Sequence, residues 1–191
     1  MSVRTGAGAA LVVAAAGAIA LVAILLFLGG LGDVFGLIGD VAVLVMTLAL
    51  APVMATWYEL GGRTPLRPAQ ASLAGAVAAV LVFSVVQLLY LGGLVTIDVE
   101  SAASGGFAVQ AVAVLVIGLW IAGASLLAGP WLRLGLRGFG AIAGTGVVAY
   151  AIGLLLGGVN HPLTYLGGVG YQVLLPIWAF LLARAWRALP A

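Results

Sequence analysis

Polar positions along this chain are few and come in short clusters, and between them lie uninterrupted apolar runs. Each run is about 20 residues long, the length that crosses the hydrocarbon of a bilayer as a helix. Gly, Pro and charged residues punctuate the runs and predict six helices, over roughly residues 7–30, 34–57, 69–93, 106–128, 136–157 and 164–186. The first break, LGGLGD, is so tight that glycine must supply the positive φ that reverses the chain. Asp33 then stands where an N-cap for the second helix is expected. The pattern predicts an all-α fold: a polytopic membrane protein, one compact bundle of six transmembrane helices filling residues 1–191.

Composition strengthens this reading. The 191 residues are 65% hydrophobic and 6% charged, with a mean hydropathy of +1.32. A soluble domain needs far more polar surface to meet water, so a multi-pass protein of the cell membrane is expected. The apolar stretch after Arg4 is too long for the h-region of a signal peptide and is expected to be a retained first span.

Charge then orients the bundle. Arg4 precedes the first run, Arg63 and Arg67 separate the second and third, Arg133 and Arg137 separate the fourth and fifth, and Arg184 and Arg187 follow the sixth. In an alternating topology all seven fall on one side. Asp33, Asp98 and Glu100 fall in the other loops, which leaves Glu59 as the only acid among the arginines. The positive-inside rule therefore predicts that the N-terminus and the C-terminus are both cytoplasmic. Trp57, Tyr58, Trp131 and Trp186 stand at the predicted cytoplasmic ends, where an aromatic belt is expected.

Small residues recur at four-residue spacing, as in Ala14 and Ala18, Gly32 and Gly36, Gly140 and Gly144, and Gly153 and Gly157. Such pairs let helix backbones approach closely in lipid. Pro52 and Pro176 fall inside runs, where each removes a backbone hydrogen bond and can kink its helix. FGLIGD at 35–40 and FGAIAG at 139–144 form a faint echo at the starts of the second and fifth runs, near what chance gives in so Gly- and Ala-rich a chain.

Several chemistries are excluded. Cysteine and lysine are absent, which removes disulfides, thiolate catalysis, cysteine-held metals and Schiff bases. One histidine, His161, makes no bis-histidine haem site, and zinc would need Asp40, Asp98 or Glu100 as partners. No cofactor or metal is expected. GASL at 123–126 resembles the nucleophile motif of rhomboid intramembrane proteases but lacks its final glycine, and Ser125 and His161 belong at opposite faces, about 30 Å apart. No phosphate-binding loop occurs and the arginines are dispersed, so no nucleic acid partner is expected. Membrane lipids are the expected partners of the arginines.

Polar groups within the runs gather toward the predicted outer side. Asp40 lies about two turns into the second run, at a depth where an acid costs about 2.5–3.5 kcal/mol on insertion scales. It can lie near the interface, tie two helices together, or bind a proton or ligand. Gln87 and Tyr90, Gln110, Tyr150, and Tyr171 with Gln172 occupy the outer halves of the remaining runs, while the inner halves hold little besides Thr47, Ser72 and Ser125. Each glutamine alone is explained by a bond to a neighbouring helix. Together they outline a polar pocket open to the outside, with Asp40, Gln87, Gln110, Tyr150, His161, Tyr165 and Gln172 as its candidate ligand-binding walls. Asn160, His161 and Pro162 form the turn before the last run, with Asn160 as its expected cap.

In outline the chain is similar to the substrate-binding S components of energy-coupling-factor transporters. Those are also six-helix proteins with both ends cytoplasmic, an outward pocket, and a small-residue surface on the first helix, which Ala14 with Ala18, or Ala16 with Ala20, would match. The tight first turn departs from that family, whose longer loop helps to cover the substrate. The resemblance implies a protein that binds or transports a small solute. The alternative is a non-catalytic accessory subunit of a larger membrane complex or homo-oligomer, its polar groups serving as interhelical ties. An enzymatic role is the less expected one.

Overall fold

Lipid offers no hydrogen-bond partners, so each apolar run must satisfy its own backbone, and a helix does so within one segment. The computed structural model describes residues 2–61, 67–95 and 105–189. It is all-helical, with six spans long and apolar enough to cross a membrane. These are α1 (Val3–Leu28), α2 (Asp33–Leu60), α3 (Arg67–Leu91), α4 (Gly105–Leu127), α5 (Leu134–Gly157), and a composite last span of α6 (Pro162–Val169), a π-helical turn (Gly170–Leu174) and α7 (Leu175–Arg187). Arg63, Asp98 and Glu100 lie outside the described residues.

The first helix starts earlier than expected because Ser2 caps it, its hydroxyl accepting from the Thr5 N–H at 3.2 Å. The turn into α2 works as the glycines imply, with Gly30 at φ 78° and Gly32 at φ 109°. Asp33, however, is not the cap. Gly32 holds that position without a side-chain bond, and Asp33 is the first helical residue, where its charge favours the positive end of the helix dipole.

Pairing within the bundle is uneven. The broadest interfaces are α1 with α2 and α4 with α5, followed by α1 with α7 and α5 with α6. Glycine makes the closest of them. A Cβ on Gly144 would strike the backbone of Ala122 in α4, one on Gly140 would strike the Ser125 and Trp178 side chains, and one on Gly153 would strike Thr164. Gly146 of α5 and Gly170 of the π turn touch Cα to backbone, and Gly167 lies against the backbone of Tyr150. Of the spaced pairs in the sequence, Gly140 and Gly144 are contact points. On α1 the buried pair is Ala16 and Ala20, whereas Ala18 is exposed.

The break in the last span has a local cause. Pro176 has no N–H to give the fourth residue before it, and its ring crowds that carbonyl. The preceding turn widens to the π form, a common way to accommodate such a defect. The displaced ring is then received by α1: Pro176 fills the space where Gly17 lacks a side chain.

α3 is held least. Among its described side chains, burial begins only at Ala76 and continues through Ala79, Val80, Phe83, Ser84 and Gln87, while residues 69–75 are half-buried or exposed. The helix is packed tightly at one end and more loosely at the other, where Leu73 still rests against the core.

Backbone contact makes α5 intolerant of added volume. Gly144→Ala is expected to lower stability by about 1–3 kcal/mol, the usual cost of overpacking. Gly8→Ala, where a Cβ meets nothing within 4 Å, should be neutral or stabilising by up to about 1 kcal/mol. Thermal unfolding of the two variants in detergent, followed by size exclusion, distinguishes them.

Candidate functional site

The seven polar residues expected to line one pocket separate into three groups. In the first, the Gln110 side-chain amide donates to Gln87 Oε1 at 2.7 Å, and Gln87 hydrogen-bonds the Asp40 side chain. Because Gln87 Oε1 is already accepting, its NH₂ is the group that serves the carboxylate. Gln87 and Gln110 are buried and Asp40 is half-buried. One hydrogen-bonded line thus crosses α2, α3 and α4 at the end opposite the arginines. α2 has 28 residues, about 42 Å of helix, and overhangs a hydrocarbon layer of about 30 Å. Asp40 stands about 10 Å along it, nearer the helix end than its middle, and a carboxylate is tolerated more cheaply toward a span's end than at mid-membrane.

The second group is deeper and belongs to α5 and the last span. Tyr150 stacks on Tyr171, with ring centroids 5.2 Å apart and planes 9° from parallel. Gln172 sits in the π turn, half-buried, and its Oε1 is buried without a hydrogen-bond partner. Thr47 of α2 is likewise buried, and its side chain faces the Tyr171 hydroxyl.

The third group is local to its own turn. His161, rather than Asn160, is the N-cap of α6: its Nδ1 accepts from the Leu163 N–H at 3.2 Å, and Pro162 takes the first helical position, where its missing N–H is harmless. Tyr165 is 65% exposed, and its hydroxyl donates to Asn160 Oδ1 at 3.5 Å. Neither of the two well-formed concavities of the described residues includes any of the seven.

The larger concavity lies at the arginine-bearing end, a cleft of about 780 Å³ between the end of α2, the start of α3 and the end of α4. Its aromatic walls are Trp57, Tyr58, Trp120 and Trp131. It exists because the first turns of α3 pack loosely against the bundle and because small residues, among them Gly75 and Gly123, face the gap. A Cβ on either glycine would meet nothing within 4 Å. Leu119 and Leu127 carry the apolar surface out to the flank of the bundle, at 57% and 87% exposure. The smaller concavity is a groove on the outer face of α1 and α2, lined by Ala16, Ile19, Leu37, Ile38, Val41, Ala42 and Val45.

The tryptophans beside the larger cleft correct the expectation of an aromatic belt. Trp57 is the centre of a cluster containing all five tryptophans of the chain, with ring centroids 4.9 Å to Trp131, 5.7 Å to Trp178, 6.3 Å to Trp186 and 6.4 Å to Trp120. Trp57, Trp178 and Trp186 are buried, so they pack the interior instead of meeting headgroups. A signal was present in the sequence. A belt occupies both interfaces, whereas these tryptophans all map to one half of the bundle, with Trp120 and Trp178 well inside their spans.

Polar atoms collect around this cluster. The indole N–H groups of Trp131, Trp178 and Trp186 and the hydroxyls of Thr56 and Ser125 are buried without partners among the described residues. Arg137 Nη2 donates to the Leu126 carbonyl at 2.9 Å, satisfying the end of α4, while Arg137 Nε is buried and unpaired. Arg133 is exposed at the N-cap of α5.

No protein-family model, no curated protein and no solved structure matches the chain.

The glutamine pair offers a direct energetic test. Gln110→Leu strands a buried amide oxygen on Gln87 and should cost about 1–3 kcal/mol. In a double-mutant cycle, Gln87→Leu with Gln110→Leu is expected to cost less than the sum of the singles, with a coupling of about 0.6–1.7 kcal/mol, read from unfolding in mixed micelles.

Proposed function

We propose that this chain is a multi-pass protein of the cell membrane that binds a small, largely apolar molecule in the cleft at its arginine-bearing end. One observation carries the reading: a cleft of about 780 Å³ with four aromatic walls, within the range of about 300–1,000 Å³ and of the apolar character usual for small-molecule sites. The cleft opens to the flank of the bundle at Leu119 and Leu127, so a molecule can enter it from the surrounding lipid. In this reading the line from Asp40 through Gln87 to Gln110 is a tie that secures α3 at the far end, and the expected outward polar pocket is not needed for binding. The similarity to transporter S components remains one of outline, and any active transport would need ion coupling or another subunit, since no nucleotide-binding motif is present.

A second reading, the accessory subunit, draws support from the groove on α1 and α2. It is shallow and almost wholly apolar, and it faces outward between two spans, which suits a neighbouring transmembrane helix. The two roles are compatible.

The arginine positions support a topology with both ends of the described chain, Ser2 and Leu189, on the cytoplasmic side. Because the chain has no cysteine, Ser2→Cys and Gly93→Cys can be labelled one at a time in intact cells. A membrane-impermeant maleimide is expected to modify the second and not the first, and labelling of Ser2→Cys from outside would reverse the orientation.

Gly123→Leu tests the cleft. It should fold as well as the parent, since the added side chain enters open space, yet lose the thermal stabilisation that an apolar ligand mixture, such as a total membrane lipid extract, gives to the parent. Equal stabilisation of both proteins would remove the cleft as the binding site.

A further inference from the structure

The rim of the cleft differs chemically from its walls, and the difference names a ligand class. Among the described residues no charged side chain lines the cleft, so its interior suits an alkyl or isoprenoid body and would penalise a buried charge. At the arginine-bearing rim the chemistry reverses. Trp131 lines the cleft, and its buried indole N–H has no partner. That nitrogen is turned toward Gly129, another lining residue, and lies 3.4 Å from where a Cβ on Gly129 would sit. Two residues on, Arg133 is exposed. Arg137 is fixed by its bond to the Leu126 carbonyl, next to the lining residue Leu127, and holds a second unpaired N–H. Positive charge thus adjoins the lining residues Leu127 and Trp131, and among the described residues no acid lines the cleft.

The geometry points to an anionic amphiphile as the occupant. Its apolar tail lies between α3 and the tryptophans, and its carboxylate or phosphate head pairs with Arg133 and Arg137. This rests on the cleft being the binding site and adds the charge and position of the head. Hydrogen bonds to an ionised acceptor are the strong ones in such a setting. Cations at this depth beside a membrane also draw anionic heads from the adjacent leaflet. The flank formed by Leu119 and Leu127 gives the tail a continuous apolar path from lipid.

The five clustered tryptophans make the test intrinsic, because bromine on a tail in the cleft quenches their fluorescence. Purified protein in non-ionic detergent is titrated with 11-bromoundecanoate, 11-bromoundecanol and 11-bromoundecyl-trimethylammonium, and quenching of Gly123→Leu is subtracted to remove partition into the micelle. The expected result is saturable quenching by the carboxylate at a concentration about tenfold below that of the alcohol, one charge-assisted hydrogen bond's worth, with none by the cation. Arg133→Gln should weaken the carboxylate about threefold to tenfold and leave the alcohol unchanged. Equal saturable quenching by all three probes keeps the cleft as a binding site and overturns the anionic head. Identical quenching of the parent and Gly123→Leu by every probe overturns the cleft itself. Gly75→Leu, which fills the same space from α3, replaces Gly123→Leu should the latter fail to elute as a folded monodisperse protein.

Discussion

Helices in lipid gain little from hiding apolar surface, because the surrounding tails are as apolar as the side chains, so their association depends on how closely they approach. In this protein that constraint is met along α5. Gly140 and Gly144 admit α4, Gly146 meets Gly170, and Gly153 receives Thr164, while Gly118 and Gly167 make the reciprocal allowance from the partner helices. With α5 fixed between α4 and the last span, Tyr150 is presented to Tyr171, and α7 is carried toward α1, where Pro176 enters the space left by Gly17. The tyrosine stack and the seat of Pro176 on α1 follow from an axis of contacts that no larger residue would permit, while the π turn itself answers the missing N–H of Pro176.

α3 is built on a different principle. Its Gly75 faces open space instead of a neighbour, and the helix is secured by packing from Ala76 onward and by Gln87, which hydrogen-bonds both α2 and α4. A polar tie at one end and looser packing at the other, where Leu73 alone of the described large side chains rests against the core, leaves a wedge between α3 and the bundle. Tryptophans are large enough to form the floor of that wedge, and Trp57, contacting the four others, stops the bundle from collapsing into it. The same bulk that fills the interior at Trp178 and Trp186 therefore shapes the cleft at Trp120 and Trp131.

Much of the architecture was legible because bilayer thickness imposes a length on apolar runs, and arginine and glycine mark where they end. The six spans and the tight first turn were readable in this way. The break in the last span was only half readable: Pro176 announces a kink, but not the seat at Gly17 that receives the ring. The polar residues were harder. Hydropathy places a residue by depth and says nothing of its direction around the helix, so Asp40, Gln87 and Gln110 converge while Tyr165, at a similar level, turns outward and His161 closes its own turn. For the same reason Trp57 and Trp186 read as interfacial when they are interior. The cleft had no signature of its own, since a void is recorded only in what neighbouring helices fail to touch.

The exposed leucines at the mouth of the cleft carry a kinetic consequence. A molecule reaching Trp57 past Leu119 and Leu127 never crosses water; it arrives by diffusion in two dimensions. Occupancy is then governed by the mole fraction of the molecule among the lipids, and dilution of the aqueous phase leaves it unchanged. For a compound that partitions strongly, the bilayer itself is the reservoir from which this protein would be filled.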